Sequence, residues 1–130
     1  MQPSEKIQYT LLNDDIHDFC MLESSNPAVD DLIVRLSDVL AHHPEGQTLR
    51  LLINTSQSGS LPLAHVINSV RPMVKEFRSN VELTRLAFVY QNPKLISVWT
   101  AVFSVLPTKI EMNAFPAAER EAAIAWLTEE

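Results

Sequence analysis

Two mostly apolar runs, LRLLIN at residues 49–54 and RLAFVY at residues 85–90, constrain the fold of this chain more than any other feature. In both runs the apolar residues follow one another instead of alternating with polar ones, which is typical of strands that are covered on both faces. A segment with apolar residues at helical spacing comes after each run. This alternation of strands and helices along the chain predicts an α/β domain whose sheet is parallel in its later part.

The remaining segments complete the order ββαβαβαβα. Residues 6–12 and 16–22 predict a hairpin with turn residues at 13–15. The predicted helices span residues 26–43, about 62–78, about 94–106 and 116 to the end, and a last strand spans 109–115. We therefore predict a single mixed, mostly parallel sheet of about five strands flanked by helices. LRLLIN and RLAFVY should be adjacent, central and parallel, with KIEMN beside RLAFVY, while the face that each helix covers is left open.

Length, charge and cysteine content limit the function. The 130 residues suit one domain, and the net charge of −6 argues against nucleic acid, which binds to basic surfaces. A single cysteine, Cys20, and a start without a secretion signal predict a cytoplasmic protein. The longest uncharged run, residues 95–108, is too short to span a bilayer. No motif in the sequence predicts a cofactor.

The loop after LRLLIN is the first candidate for a functional site. It is made of small polar residues and one glycine: Asn54, Thr55, Ser56, Gln57, Ser58, Gly59 and Ser60. Ligands of open α/β sheets gather at the carboxyl ends of the strands. We expect this loop to be exposed at that edge and to contribute to any ligand or partner site. We also expect Ser58 or Ser60 to cap the following helix.

Three stretches resemble a known group of domains. They are LRLLINTS as the strand after the first long helix, RLAFVY as the next strand, and the ending FPAAEREAAIAWL. With them the chain resembles the STAS domain superfamily, which is shared by sulfate transporters and anti-sigma-factor antagonists. More narrowly it resembles the SpoIIAA-like (STAS/SEC14-like) group of bacterial proteins, over most of its length.

The resemblance implies a non-enzymatic regulatory or protein-interaction module. In anti-sigma-factor antagonists the corresponding loop carries a phosphorylated serine in an Asp-Ser-Ser/Thr-Gly-like segment. Ser58 is the nearest counterpart of that serine and Ser60 the second, although Gln57 stands where an aspartate is expected. A role limited to capping the helix is the alternative. The SEC14-like side of the resemblance implies instead a small apolar, lipid-like ligand in a crevice between helices and sheet.

Histidines near polar residues are weak candidates for catalysis or metal binding. His65 follows the serine-rich loop, but no G-x-S-x-G motif accompanies it and the helical spacing turns it toward solvent. His42 and His43, with Asp38 and Glu45 nearby, would give a poor chelate because adjacent residues leave a helix in different directions. Histidines at a helix C-terminus also favour the negative end of the helix dipole. We predict no catalytic residue and no metal site.

The helix at about 94–106 has an unusual composition for a helix that lies on one face of a sheet. No charge occurs between Lys94 and Lys109. The face expected to meet water holds only small residues: Ser97, Thr100, Ala101 and Ser104. Either the terminal helix with Trp126 covers this face, or a second subunit or protein partner does. The second alternative predicts a homodimer or a complex with another protein.

A basic stripe lies on the preceding helix of this acidic chain. Arg71, Lys75 and Arg78 share one flank at helical spacing. A solvated face balanced by Glu76 is the simpler interpretation, and contact with an anionic partner or ligand is the other.

Overall fold

The computed structural model describes residues 6–44, 46–59, 61–81, 83–104 and 110–129, without the side chains of residues 80, 95, 98, 99, 102 and 103. The strands are β1 (Ile7–Leu12), β2 (Ile16–Met21), β3 (Leu49–Asn54), β4 (Thr84–Tyr90) and β5 (Glu111–Pro116). The helices are α1 (Asn26–His42), α2 (Leu63–Glu76), α3 (Arg78–Val81), α4 (Lys94–Ser104) and α5 (Arg120–Thr128). A 3₁₀ turn, Ala117–Glu119, precedes α5.

The strands form one mixed sheet in the order β1-β2-β3-β4-β5. β1 pairs antiparallel with β2, and the other neighbours are parallel. The predicted pairing of LRLLIN with RLAFVY is confirmed: Leu51 lies opposite Leu86, and Ile53 lies opposite Phe88. Both strands are central, and β5 lies beside β4 as predicted. Burial on both faces of the sheet explains why these two runs are so apolar.

The predicted hairpin forms through a tight turn between β1 and β2. Asn13 and Asp14 adopt positive φ angles of 52° and 63°. The backbone N–H of Asp15 donates to the carbonyl of Leu12 at 3.0 Å. Positive φ at both central residues is what a type I′ turn requires, and asparagine and aspartate tolerate it better than most residues.

The helices are divided between the two faces of the sheet. Because β2, β3, β4 and β5 are neighbours in chain order, right-handed crossovers place all three connecting helices on the same face. In agreement, α1 and α2 share one core cluster with Phe19, Leu51 and Phe88, and α4 contacts α2. α5 covers the opposite face, where Ala123 and Leu127 pack on Leu52 and Ala87, among other residues. The tertiary structure thus decides the question that the sequence left open.

Several helix boundaries differ from the sequence prediction. The cap of α1 is Ser25, whose hydroxyl accepts a hydrogen bond from the N–H of Ala28 at 3.2 Å. The helix predicted at 62–78 ends at Glu76, and a separate short helix follows. Pro72 lies inside α2 on its exposed side, so its missing N–H leaves the core face intact. The end of the helix predicted at 94–106 lies outside the described residues.

Two arginines from neighbouring central strands hold the C-terminal end of α5. Arg50 and Arg85 are register partners, an arrangement that brings like charges together. Arg50 Nε donates to the carbonyl of Leu127 at 2.6 Å, and Arg85 donates to the carbonyl of Glu129. The Arg85 guanidinium also lies 4.5 Å from the centre of the Trp126 ring. The negative end of the helix dipole offsets the repulsion between the two cations.

Candidate functional site

Thr55 fixes the start of the loop that follows β3. It is fully buried, and its N–H and its hydroxyl both donate to the carbonyl of Val89 on β4, at 2.8 and 3.0 Å. A carbonyl has two lone pairs, so it can accept both bonds. The loop therefore leaves the sheet from a rigid point at the carboxyl end of β3, which is where the sequence predicted it.

Local hydrogen bonds then fold the loop into a compact turn. The N–H of Ser56 donates to the side-chain oxygen of Asn54 at 2.9 Å, which is an Asx turn. The N–H of Gly59 donates to the carbonyl of Thr55 at 3.0 Å. Gly59 has a φ of +75°, a conformation that side chains with a Cβ rarely adopt. Gln57, at the tip, is exposed.

Of the two serines expected to cap α2, Ser58 does not do so. Its hydroxyl lies 3.5 Å from the carbonyl of Thr55 and 3.3 Å from that of Gly59, both weak donor geometries. Pro62 occupies the cap position of α2 and makes no side-chain hydrogen bond there. Ser60 lies outside the described residues. The half-exposed Ser58 hydroxyl is thus held only loosely, inside a loop whose backbone is firmly held.

His65, in the first turn of α2, does not point freely into solvent as the helical spacing suggested. Its Nε2 lies 2.7 Å from Oδ1 of Asp30 on α1, and only 29% of its side chain is exposed. The pair joins the N-terminal halves of α1 and α2 next to the loop. Within the described residues, His65 makes no hydrogen bond to a serine, so the expected absence of a catalytic dyad is not contradicted.

The small-residue face of α4 is open to solvent in this chain. Its four members, Ser97, Thr100, Ala101 and Ser104, are all exposed. The Thr100 hydroxyl donates to the carbonyl of Ile96 and the Ser104 hydroxyl to that of Ala101, each at 2.8 Å, so the helix itself satisfies them. The alternative in which Trp126 covers this face is wrong. α5 lies on the other side of the sheet, where Trp126 packs against Phe115 with 6.1 Å between ring centres.

Two exposed apolar side chains lie near the carboxyl end of the sheet, where the loop also lies. Leu63 is the first residue of α2 and is 37% exposed, and Ile96, in the first turn of α4, is 38% exposed. Both helices begin at the carboxyl end of the sheet, next to the loop, and contact each other. We call Leu63, Ile96, Ser97, Thr100, Ala101 and Ser104 the α2–α4 surface. It carries no charged side chain.

An apolar cavity of about 60 Å³ lies between α1, α2 and the sheet. Most of its lining is aliphatic or aromatic and includes Leu32, Leu36, Leu51, Val66, Val70 and Phe88. This is the place where the sequence reading put a small apolar ligand. Sites for drug-sized ligands usually enclose about 300–1,000 Å³, so the cavity in this conformation is too small for a lipid chain.

Comparison with known protein families assigns this chain to one of them. The family model described as SpoIIAA-like matches residues 12–128, nearly the whole chain. The chain belongs to the SpoIIAA-like family. A solved structure titled as a lipoprotein from Streptococcus agalactiae superposes with a TM-score of 0.51 at 12% identity, over 88% of this chain and 51% of that one. This chain thus spans about half of that structure, and the likeness concerns the fold alone. No curated protein matches the sequence significantly.

One buried ion pair of this SpoIIAA-like domain was not predicted from the sequence. Asp18 of β2 lies on the α5 face, almost fully buried, with Oδ2 2.7 Å from Arg120 at the start of α5. Its Oδ1 has no hydrogen-bond partner among the described residues. Burial raises the pKa of Asp18, and Arg120 opposes that effect. Burial, and then the charge of Asp18, raise the pKa of Cys20. A charged residue in the middle of a strand was the signal that sequence reading could have used.

The amino end of the SpoIIAA-like sheet holds a second polar cluster that sequence reading missed. Tyr9 and His17 occupy the same face of the hairpin, and their side chains meet at 2.7 Å between the hydroxyl and Nδ1. Burial lowers the pKa of His17, with His43 acting in the same direction and Asp15 against it. Which of the two atoms donates in this hydrogen bond depends on which ring nitrogen of His17 carries the proton. The alternation of residues in β1 and β2 was the available signal.

The histidines considered for a metal site are engaged with the backbone. His42 Nδ1 lies 2.8 Å from the carbonyl of Asp38, and His43 Nε2 lies 2.9 Å from that of Gln47. Glu45 lies outside the described residues. Among the residues that the structure describes, no three His, Cys, Asp or Glu side chains are placed to hold a metal ion. In the same part of the chain, no helix has both the length and the apolar character needed to cross a membrane.

Proposed function

We propose that this SpoIIAA-like domain is a non-enzymatic regulatory module that binds a protein partner in the cytoplasm. The contact is made by the loop at residues 54–60 together with the α2–α4 surface. A protein is preferred to a nucleic acid as the partner because the chain carries a net charge of −6.

The exposed α2–α4 surface is the observation that carries this proposal. Leu63 and Ile96 supply apolar area, and Ala101 with its neighbouring hydroxyl residues lets another backbone approach closely. The hydroxyls of Thr100 and Ser104 are already bonded within the helix, so burying them leaves no donor unsatisfied. Protein interfaces typically have such a desolvated, uncharged centre.

The loop provides the regulatory element in this proposal. Thr55 and Gly59 hold its backbone, while the Ser58 hydroxyl makes only long contacts and is partly exposed. A phosphate on Ser58 would add about two negative charges beside Leu63 and the start of α2. Such a charge would change the affinity for a partner that buries this edge.

The function is tested on protein purified from its own host with its partner. Native mass spectrometry should show a bound protein, and a fraction of the chain heavier by about 80 Da if Ser58 is phosphorylated. Replacing Ala101 with Glu and Ser104 with Lys should release the partner, because neither side chain fits a close contact. The matched control is Val34→Lys with Ala41→Glu on the exposed side of α1. Equal partner binding by both pairs would rule out the α2–α4 surface.

The phosphorylation part of the proposal has its own test. Ser58→Asp should alter binding of the partner found above, whereas Ser58→Ala should leave it unchanged. If Asp and Ala at this position give the same affinity as serine, Ser58 is not a switch and the domain is a constitutive binding module.

The cavity favours binding of a small apolar ligand as a second candidate function. It lies between helices and sheet and is lined mainly by apolar side chains. Filling it with Val70→Leu should displace such a ligand, which native mass spectrometry of the host-purified protein would detect as a lost mass. If the wild-type chain carries no small molecule when purified from its host, this second function fails.

A further inference from the structure

Two exposed cations on α2 have no partner among the residues that the structure describes. Arg71 and Lys75 are one helical turn apart and are exposed. Neither forms an ion pair or a side-chain hydrogen bond with any residue that the structure describes. The described side chains of Arg35, Arg50, Arg85 and Arg120 are, in contrast, all paired. Glu76 is exposed as well and forms no ion pair with Arg71 or Lys75.

Helix geometry places these cations on the flank of α2 that turns away from α1. The bond between His65 and Asp30 marks the α1 side of α2, and Val66 and Val74 mark the side facing the core. At about 100° per residue, Arg71 lies roughly 120° around the axis from His65. It therefore lies beside α4, the helix that contacts α2 on its other side.

The cations also lie level with the far end of the small-residue face. α2 and α4 both begin at the carboxyl end of the sheet and run back along it. With a rise of 1.5 Å per residue, Arg71 and Lys75 lie roughly 12 and 18 Å along α2. By the same measure, Ala101 and Ser104 lie roughly 11 and 15 Å along α4. The uncharged centre of the α2–α4 surface thus has two cations at one edge.

We propose that the α2–α4 surface binds an acidic segment of a partner protein, and not a second copy of this chain. The proposal rests on the proposed function and specifies the chemistry of the partner. Carboxylates of the partner would pair with the guanidinium of Arg71 and the ammonium of Lys75. Its small or apolar residues would lie on Ala101 and Ile96. Complementary charge at the edge orients the partner, and the uncharged centre is buried.

A second copy fits this surface poorly because of charge. A two-fold symmetric contact across antiparallel α4 helices would bring Arg71 and Lys75 of one copy toward the exposed Lys94 of the other. A contact across parallel α4 helices would bring them toward the same cations of the other copy. In both orientations like charges meet, which weakens association.

The test uses two opposite charges at one exposed position of α4, Ala101→Glu and Ala101→Lys. The probe is a fluorescent amphipathic peptide rich in glutamate, and its control is the same peptide with glutamine in place of each glutamate. Wild type should bind the glutamate peptide with an affinity that falls as salt increases. Ala101→Glu should weaken binding about tenfold, and Ala101→Lys should weaken it less, because its bulk disturbs the contact while its charge attracts the peptide. Arg71→Glu with Lys75→Glu should abolish it, while Ala41→Glu and Ala41→Lys on α1 should leave it unchanged.

The effects of these variants on the host partner and on the peptide distinguish a failure of this inference from a failure of the proposed function. Suppose that Ala101→Glu and Ala101→Lys both release the host partner, but change peptide binding equally. The surface is then a protein interface without a preference for acidic segments. In that case the inference is wrong, while the proposed function stands. If neither releases the host partner, the proposed function fails as well. Preference for phosphatidylglycerol vesicles over the peptide would assign the cations to a membrane and overturn the inference. The inference would also be overturned if the wild type sedimented as a dimer and Ala101→Glu dissociated it.

Discussion

Thr55 shows how a single residue sets the position of the candidate site. It is the first residue after β3, and a hydroxyl at this buried point ties the loop to Val89 on the neighbouring strand. A valine would fill the same space without the hydroxyl hydrogen bond. Because the backbone N–H of Thr55 still donates to the same carbonyl, that carbonyl would not be left unsatisfied.

Replacing Thr55 with valine should therefore lower the free energy of unfolding by about 1 kcal/mol, the usual net value of one such bond. Urea unfolding monitored by circular dichroism would measure it. Ser58→Ala is the control, and its effect should stay within about 0.5 kcal/mol because the Ser58 contacts are long. An equal effect of the two substitutions would contradict the anchoring role of Thr55.

Asp18 should give the stability of the protein a specific dependence on pH. Burial raises its pKa above the ordinary aspartate value, despite Arg120. The folded chain then holds this proton more tightly than the unfolded chain, so the group's contribution to stability falls as pH rises through the raised pKa. The free energy of unfolding of the wild type, measured relative to that of Asp18→Asn, should thus decrease as the pH rises from the ordinary aspartate pKa to the raised pKa of Asp18. Urea unfolding of both proteins from about pH 3 to about pH 7 would test it.

Arg120 supplies the control for this pH dependence. Without its guanidinium, the pKa of Asp18 should rise further, because Arg120 is what lowers it. When proteins with and without Asp18→Asn are compared and both also carry Arg120→Met, the decrease in unfolding free energy caused by Asp18 should therefore continue to higher pH. A difference that instead grew in favour of the wild type with rising pH would show that the ion pair outweighs burial.

At the scale of elements, α5 depends on charged contacts as well as on burial. It has nine residues, of which Ala123 and Leu127 are fully buried. Arg120 fixes its start to Asp18, and Arg50 and Arg85 bind carbonyls at its end. A short helix with so little buried area gains a large part of its docking from such end contacts.

Arg50→Met should lower the free energy of unfolding by about 1–2 kcal/mol, since the bond to the Leu127 carbonyl is lost while the aliphatic stem is kept. Hydrogen exchange in α5 should accelerate more than in α1. Arg71→Met is the control and should change little, because Arg71 is exposed and has no ion pair within the described part of the chain. If Arg50→Met stabilised the protein, repulsion between Arg50 and Arg85 would be the larger effect.

At the scale of the whole molecule, the sequential strand order decides which parts are best protected. β3 and β4 lie in the middle of the sheet and have helices on both faces. β1 is an edge strand, and Gln8, Thr10 and Leu11 are exposed. Amide hydrogen exchange should be slowest in β3 and β4 and clearly faster in β1. Equal protection of β1 would indicate that another chain covers this edge.

The local patterns of the sequence predicted most of the elements and little of the site's detail. The strands, the hairpin turn and the pairing of LRLLIN with RLAFVY follow from apolar runs and from residues such as Asn13 that accept positive φ. The site loop was placed correctly because it follows a core strand. Of the two serines expected to cap α2, Ser58 does not, because Pro62, directly before α2, occupies the cap position. His65 was misjudged because a helical spacing does not show that Asp30 of another helix lies within 2.7 Å.

The sequence by itself determined the fold class, the mixed sheet and the membership of Ser58, Gly59 and their neighbours in one loop after β3, because these depend on residues close together in the chain. The loop is less exposed than expected: Gln57 is exposed, but Thr55 is fully buried. Only the tertiary structure decided which helices share a face, the pairing of Asp18 with Arg120, and the exposure of Ala101. These features depend on contacts between distant residues. The handedness of the crossovers put α1, α2 and α4 on one face and left the other to α5. That arrangement is the physical reason why the small-residue face of α4 is open.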